Sequence, residues 1–210
     1  MERKTFLMKI NPDRREAVLQ GISELAPRIL EEAERLGVGN FSVWSVSDIL
    51  CGYGEYARDT DLDAAPELRE LLERVIDGSA ELLCPTGSMR LMYHDIGIVR
   101  ADKSLIRHRV FVTKLKPGCA EEYKRRHDGL IAARGDAVSE GPDSNFTIWY
   151  GAGYIFGYCE KVKAFDREMT EQEKQDTIAW ETRQLEIMDW LTDDVDWITG
   201  ESHEHIRRIV

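Results

Sequence analysis

The amino-acid sequence repeats itself at a fixed spacing, and a repeat of this length implies two copies of one folding unit. The sequence NFSVW at residues 40–44 recurs as NFTIW at residues 145–149, an offset of 105 residues from position 40 to position 145. The same offset, without a gap, pairs further identical residues: Phe6, Lys9, Pro12, Glu16, Leu25, Gly52 and Tyr53 with Phe111, Lys114, Pro117, Glu121, Leu130, Gly157 and Tyr158. We therefore expect two homologous domains, residues 1–105 and residues 106–210.

Each half has the pattern strand, helix, two strands, helix, strand. Residues 5–10 and 110–115 are rich in apolar and β-branched side chains and stop two positions before a proline, as strands do. Helical spacing predicts first helices at 13–36 and 121–138 and second helices at 66–83 and 170–191. The order βαββαβ is that of a ferredoxin-like unit. The predicted fold is therefore α+β, with two tandem ferredoxin-like units that form a pseudo-dimeric α/β barrel.

The charge balance narrows the possible partners. The chain has 28 Lys and Arg against 39 Asp and Glu, a net charge of −11. Nucleic acids and anionic membranes bind basic surfaces, so neither is expected as a partner. No apolar run is long enough for a signal peptide or a membrane span. We expect a cytoplasmic protein whose four cysteines are free thiols, since none has C-x-x-C spacing.

Tyr123 and His127 are the candidate catalytic residues. Their spacing of four places both side chains on one face of a helix, where a phenol and an imidazole can act as an acid–base pair. At the 105 offset they correspond to Val18 and Ile22. An inward-facing position accepts Val and Ile readily, whereas Tyr and His there need polar partners or a pocket. We expect all four to face inward, with a pocket only in domain 106–210 and a catalytically empty domain 1–105.

The stretch EYKRRH at residues 122–127, the pair Asn11-Pro12 and the two NF(S/T)(V/I)W segments resemble the L-rhamnose mutarotase family. The resemblance implies an isomerase that interconverts the anomers of L-rhamnose, with a Tyr and a His of the first helix in the sugar pocket. Tyr123 and His127 match these two residues. Mutarotation needs one group to take the proton of the anomeric hydroxyl and another to protonate the ring oxygen, so no metal or organic cofactor is expected.

Two features differ from the family pattern. Its Pro-x-Trp-Pro segment reads GLIA at residues 129–132, and its adjacent pair of tryptophans on the second helix is absent. Because these tryptophans would stack on sugar faces, the sequence leaves the sugar unnamed. We assign substrate binding to four residues: Trp149, Tyr150 and Trp190, whose rings suit the C–H face of a sugar, and Arg126 beside the histidine. Ordinary core packing is the alternative for the three aromatic residues.

Other functions stay open at this stage. One is a dimeric α/β-barrel monooxygenase-like enzyme acting on an aromatic substrate, and another is a non-catalytic sugar-binding protein. A pocket with several polar groups beside aromatic rings would favour a sugar. His203 and His205, with His108, form a candidate metal site, but the first two lie in a charged segment near the chain end, and we expect no metal. The expected assembly is a monomer acting as a pseudo-dimer, or a homodimer.

Overall fold

The computed structural model describes residues 1–57, 66–138, 143–163, 168–191 and 206–210. Within these ranges the protein is α+β, with two five-stranded antiparallel sheets and four α-helices. None of these helices is long and apolar enough to span a membrane. The elements in chain order are β1 (Glu2–Ile10), α1 (Arg15–Arg35), β2 (Val38–Val46), β3 (Ile49–Tyr56), α2 (Pro66–Ile76), β4 (Ala80–Cys84), β5 (Arg90–Asp95), β6 (Ile106–Leu115), α3 (Ala120–Arg134), β7 (Asp143–Gly151), β8 (Tyr154–Val162), α4 (Glu171–Gln184), β9 (Met188–Trp190) and β10 (Ile206–Arg208).

The chain folds as two compact units. The N-terminal unit holds Met1–Met89 and the C-terminal strand β10, and the C-terminal unit begins at Arg90. Strand order is β10-β2-β3-β1-β4 in the first sheet and β5-β7-β8-β6-β9 in the second. Four consecutive strands therefore have the same order in both sheets, and a fifth strand is added at the edge beside β2 or β7. The predicted domain boundary between residues 105 and 106 follows from the sequence repeat and stays a prediction. Among the described residues, the two edge strands of each sheet do not pair with each other. Neither sheet is therefore a closed barrel, and the predicted barrel is not seen as a closed one.

The helices are shorter than predicted at their C-terminal ends. Helix α3 ends at Arg134 because Gly135 adopts a φ of 62°, a left-handed conformation that ends helices. Helix α4 begins at a capping box, in which Thr170 and Glu173 each accept a hydrogen bond from the other's backbone N–H. The residues predicted to extend α4 form strand β9 instead.

The repeated asparagines have the same conformation in both units. Asn40 and Asn145 have φ values of 49° and 51°, and each lies where the ladder register shifts. The Nδ2 atom of Asn40 donates to Oε1 of Glu55 at 3.0 Å, and that of Asn145 donates to Oε1 of Glu160 at 3.1 Å. Part of the sequence repeat therefore encodes a β-bulge whose left-handed asparagine is held by a buried carboxylate.

The core of the N-terminal unit confirms the prediction that α1 turns Val18 and Ile22 inward. Val18 and Ile22 are buried, with exposed fractions of 1% and 4%. They pack in one cluster with Val43 and Leu50 of the sheet, and Val75 of α2 packs against that cluster. Hydrocarbon thus occupies the positions at which the second half of the sequence has Tyr123 and His127.

Candidate functional site

A cavity of about 460 Å³ lies in the C-terminal unit, a size suited to a small-molecule ligand. Two helices and four strands line it. Its lining residues are Tyr93, Arg109, Phe111, Tyr123, His127, Leu130, Phe146, Ile148, Asp176, Thr177, Trp180, Glu181, Gln184 and Met188. On α3 these residues are spaced by four and three, and on α4 they follow the same helical period. Each helix therefore presents one face to the cavity.

The sheet side of the cavity is mostly apolar, with Arg109 as its charged residue. The ring of Phe111 lies directly over Gly157, where a Cβ atom would come within 2.1 Å of the ring. Any side chain at this position would push Phe111 outward into the cavity. The glycine of the repeated Gly-Tyr pair therefore helps to leave room for a ligand. Phe146 packs edge-on against Phe111, with ring centroids 6.3 Å apart.

Tyr123 and His127 both line the cavity, as the sequence predicted for the pocket-bearing half. Their exposed fractions are 3% and 5%. The two rings stack with centroids 4.2 Å apart and an interplanar angle of 25°. The structure thus brings the two candidate catalytic side chains into contact beside the cavity. Their roles in catalysis stay a prediction.

The hydrogen bond of His127 determines which ring nitrogen can react. Its Nδ1 atom lies 3.0 Å from the backbone carbonyl oxygen of Tyr123. A carbonyl oxygen only accepts, so Nδ1 carries the proton, and in the neutral ring Nε2 keeps a free lone pair. Burial lowers the pKa of His127 to about 4. At neutral pH the imidazole is therefore uncharged and is suited to accept a proton.

The phenol of Tyr123 has the opposite character. Burial first, and then the nearby carboxylate of Glu181, raise the pKa of Tyr123 well above its usual value. The hydroxyl therefore stays protonated across the physiological range. It is suited to donate a hydrogen bond to a ligand oxygen and is a poor proton-transfer group at neutral pH.

Two further aromatic rings enclose the histidine. Tyr93 of β5 and Trp180 of α4 each meet the imidazole edge-on, with ring centroids 5.4 Å away in both cases. Sequence reasoning missed Tyr93, which precedes the second repeat by more than ten residues. It joins the cavity only because β5 pairs with β7. Trp180 was assigned no role from the sequence.

The polar residues of α4 were also missed. Glu181 lines the cavity, and burial raises the pKa of its carboxyl to about 7, although Arg109 opposes this shift. Gln184 is 2% exposed, and neither its Nε2 nor its Oε1 atom has a hydrogen-bond partner among the described residues. Glu181 and Gln184 are three residues apart and follow Trp180, a spacing that marks one helix face. This spacing was the sequence signal that could have identified Glu181 and Gln184 as cavity-lining residues.

The other predicted binding residues do not line the cavity. Trp149 is 4% exposed and stacks on Phe156 with centroids 5.9 Å apart. Along β7 its side chain alternates with that of Ile148, which does face the cavity. Tyr150 and Trp190 pack against the core cluster that contains Tyr123. Trp149 is therefore buried in the core, and Tyr150 and Trp190 are partly buried against it; their assignment to substrate binding stays a prediction.

Arg126 is a connector between the two helices. Its Nε atom donates to Glu122 at 2.7 Å, its Nη2 to Glu186 at 2.8 Å, and its Nη1 to the carbonyl of Arg183 at the end of α4. The equivalent residue of the repeat is Gly21, where a Cβ would come within 2.6 Å of Val75 on α2. A glycine lets the helices of the N-terminal unit approach closely. In the C-terminal unit a long side chain ties α3 to the end of α4 instead.

A metal site finds no support in the described ranges. They contain no cluster of three His, Cys, Asp or Glu side chains that could hold an ion. His203 and His205, the candidate ligands from the sequence, lie outside the described residues. All four cysteines are free thiols, as predicted, and three of them are buried.

The fold and the cavity define an α+β protein with a ligand-sized cavity, lined by aromatic rings, an imidazole and a carboxyl group. Residues 108–207 match the family model of L-rhamnose mutarotase. Through this segment, just under half of the chain, the protein is similar to the L-rhamnose mutarotase family, a family of isomerases, as its motif predicted. No curated protein matches the chain.

Proposed function

We propose that this protein is a mutarotase that interconverts the anomers of L-rhamnose or a related deoxy-sugar. The observation that carries the proposal is the buried Tyr123–His127 pair, stacked beside the cavity within the segment that matches the family. The cavity is large enough for a monosaccharide. A sugar also suits its two kinds of surface, since it presents both hydroxyl groups and apolar C–H faces.

His127 is the base of the proposed reaction. Its Nε2 atom takes the proton of the anomeric hydroxyl, the bond between the anomeric carbon and the ring oxygen breaks, and the ring oxygen gains a proton. The open aldehyde turns about its bond to the next carbon, and the ring closes on the other face with the proton transfers reversed. Tyr123 donates a hydrogen bond to a substrate oxygen. Positioned acid–base groups of this kind contribute about 10²–10⁴-fold to rates.

The aromatic wall of the proposed sugar site differs from the sequence-based assignment. Tyr93, Trp180 and Phe146 line the cavity and take the role first given to Trp149, Tyr150 and Trp190. Trp180 is the proposed platform for a C–H face, because it lines the cavity and its ring lies roughly perpendicular to that of His127. Arg126 acts through helix placement and has no direct contact with the sugar.

Three polar side chains favour a sugar over an aromatic substrate. Most of the cavity surface is apolar, but Arg109, Glu181 and Gln184 also line it and provide partners for the hydroxyl groups of a sugar. The pairing of His127 with a backbone carbonyl favours an enzyme over a sugar-binding protein, because it prepares one nitrogen for proton transfer. A cytoplasmic location and a role for the protein as a covalent pseudo-dimer or homodimer remain part of the proposal.

We infer that the two halves are tandem copies of a ferredoxin-like unit, of which the second keeps the active site. Three features support this inference: the shared strand order, the paired asparagine bulges, and the rings of Phe6 and Phe111 that cover Gly52 and Gly157. In the first copy, aliphatic side chains fill the space where the second has its cavity. That copy is proposed to be catalytically empty.

The proposed function is tested by NMR saturation transfer between the α and β anomeric protons of L-rhamnose and related deoxy-sugars. The wild-type protein should exchange them faster than buffer alone, and the family assignment makes L-rhamnose the first sugar to try. Saturation-transfer signals from bound sugar with no faster exchange would identify a binding protein. The absence of both binding and exchange for every sugar would reject the proposal.

A further inference from the structure

The proposed mutarotation needs an acid as well as a base, and neither residue of the family motif supplies the acid. His127 has Nδ1–H committed to a carbonyl, and only about one ring in a thousand is charged three pH units above its pKa. Tyr123 holds its proton too tightly to give it up at neutral pH. The proton for the ring oxygen must therefore come from another group that lines the cavity.

Glu181 is the group in the right place. It lies on the cavity face of α4, one residue after Trp180, whose ring meets His127, and close enough to Tyr123 to raise the pKa of that phenol. The carboxyl of Glu181 therefore lines the same cavity as His127, the proposed base.

Several titratable side chains line the cavity together with Glu181: Arg109 from β6, Tyr93 from β5, Tyr123 and His127 from α3, and Asp176 from α4 itself. Strands β7 and β9 contribute apolar side chains, Phe146, Ile148 and Met188. Arg109 lowers the carboxyl pKa but does not cancel the effect of burial, so the group is about half protonated near neutral pH.

Gln184 independently indicates a polar ligand next to this carboxyl. It lies one turn after Glu181, and its buried amide has an unpartnered donor and an unpartnered acceptor among the described residues. Burying such a group is unfavourable unless a partner arrives. Neighbouring hydroxyls of a sugar provide what it lacks, because one can donate to Oε1 while the other accepts from Nε2.

We propose that Glu181 is the second catalytic residue of this site, the acid that protonates the ring oxygen while His127 takes the anomeric proton, and that Gln184 holds the neighbouring hydroxyls of the sugar. This inference rests on the proposed function. It adds a carboxyl–imidazole pair to a site in which the family motif provides only the phenol and the imidazole.

The proton balance closes over the two half-reactions. In ring opening, the carboxyl of Glu181 gives its proton to the ring oxygen, which keeps the electron pair of the broken C–O bond. His127 Nε2 takes the hydroxyl proton, and the anomeric C–O becomes a carbonyl. In ring closure, the hydroxyl left by ring opening attacks either face and returns its proton to the Glu181 carboxylate, while the imidazolium protonates the carbonyl oxygen. No oxidant, reductant or metal takes part.

The test is the pH profile of anomer exchange with the wild-type protein and with Glu181→Gln, corrected for spontaneous exchange in the same buffers. The reactive form needs neutral His127 and protonated Glu181. The wild-type profile should therefore rise through about pH 4 and fall through about pH 7. Glu181→Gln should lower exchange by about 100-fold and abolish the upper limb. Glu171→Gln, which removes an exposed carboxylate from the first turn of the same helix, should change neither the exchange rate nor the upper limb of the pH profile.

The outcomes separate the two proposals. A wild-type protein that exchanges no sugar rejects the proposed function and this inference with it. An active wild type whose upper limb persists in Glu181→Gln rejects this inference alone. If Glu181→Gln fails to fold, the carboxyl of wild-type Glu181 is titrated directly by ¹³C NMR with segmental or selective glutamate labelling. A signal that titrates near pH 7 and loses its transition when sugar binds supports the assignment, and a signal that titrates near 4.5 overturns it.

Discussion

The Nδ1 atom of His127 lies 3.0 Å from the backbone carbonyl oxygen of Tyr123, one turn earlier on the same helix. This single contact links three levels of the molecule. The spacing of four residues creates it, the helix makes the carbonyl available, and the bond leaves Nε2 as the only nitrogen with a lone pair. The same contact joins the two residues of the motif even before any ligand enters.

Replacing His127 with isoleucine should abolish activity and preserve the fold. Isoleucine copies Ile22, which is 4% exposed in the N-terminal unit and packs well there. Exchange should fall by at least about tenfold, the low end for loss of an acid–base group, with an unchanged or slightly higher melting temperature. NMR saturation transfer and thermal unfolding measure the two effects. Wild-type exchange by a folded His127→Ile protein would remove the histidine from the mechanism.

Trp180→Ala and Trp149→Phe should affect different properties. Trp180 lines the cavity, so its loss should raise KM by about tenfold, which corresponds to about 1.4 kcal/mol, with little change in melting temperature. Trp149 is buried in a packed position, so Trp149→Phe should lower stability by about 1 kcal/mol and leave KM unchanged. The reverse pattern would restore Trp149 as a sugar-binding residue and remove Trp180.

Periodicity predicted much of the architecture because it follows directly from which faces are buried. The offset of 105 identified Val18 and Ile22 as inward-facing, and both are buried. It also paired Asn40 with Asn145, whose left-handed conformations agree within a few degrees. Such positions are set by local backbone geometry and by neighbours close in sequence, which the pattern of one chain can reveal.

The cavity was harder to predict because it depends on pairing between distant segments. Tyr93 reaches it only through the ladder of β5 with β7, and sequence spacing carries no sign of that partner. Glu181 and Gln184 look like ordinary surface residues of an acidic helix until the helix is placed. The aromatic residues of β7 were hard to place for a related reason: alternation along a strand decides which face each occupies, and both faces of this strand are largely buried.

Gln184→Leu should stabilise the protein and weaken sugar binding. The variant removes two buried polar atoms that have no partner among the described residues and replaces them with hydrocarbon of similar volume. We expect a gain of about 1 kcal/mol in the free energy of unfolding, and a sugar Kd raised by about tenfold or more as a hydroxyl partner is lost. Urea unfolding and NMR titration provide the two values. A destabilised variant with unchanged Kd would show that the amide is satisfied within the protein.

The pH dependence of stability should contain two opposing contributions from the site. His127 has a folded-state pKa of about 4, below its unfolded value of about 6.5, so acidification from 6.5 to 4 protonates the unfolded chain first and destabilises the fold. Glu181 has a folded-state pKa of about 7, above its unfolded value, so the unfolded chain loses its proton first as pH rises from about 4.5 to 7. Stability then falls with rising pH. Between about 4.5 and 6.5 the two contributions largely cancel.

Single variants should separate these contributions in urea unfolding at a series of pH values. His127→Ile removes the histidine that destabilises the fold at acidic pH. Relative to the wild type, this variant should therefore gain stability as pH falls from 6.5 to 4. Glu181→Gln removes the unfavourable burial of a charge, so it should gain relative stability as pH rises from 4.5 to 7, reaching on the order of 2 kcal/mol above pH 7. The double variant should combine both gains. Parallel pH curves for wild type and Glu181→Gln would mean that the carboxyl is not buried as described, and its role as the acid would lose its physical basis.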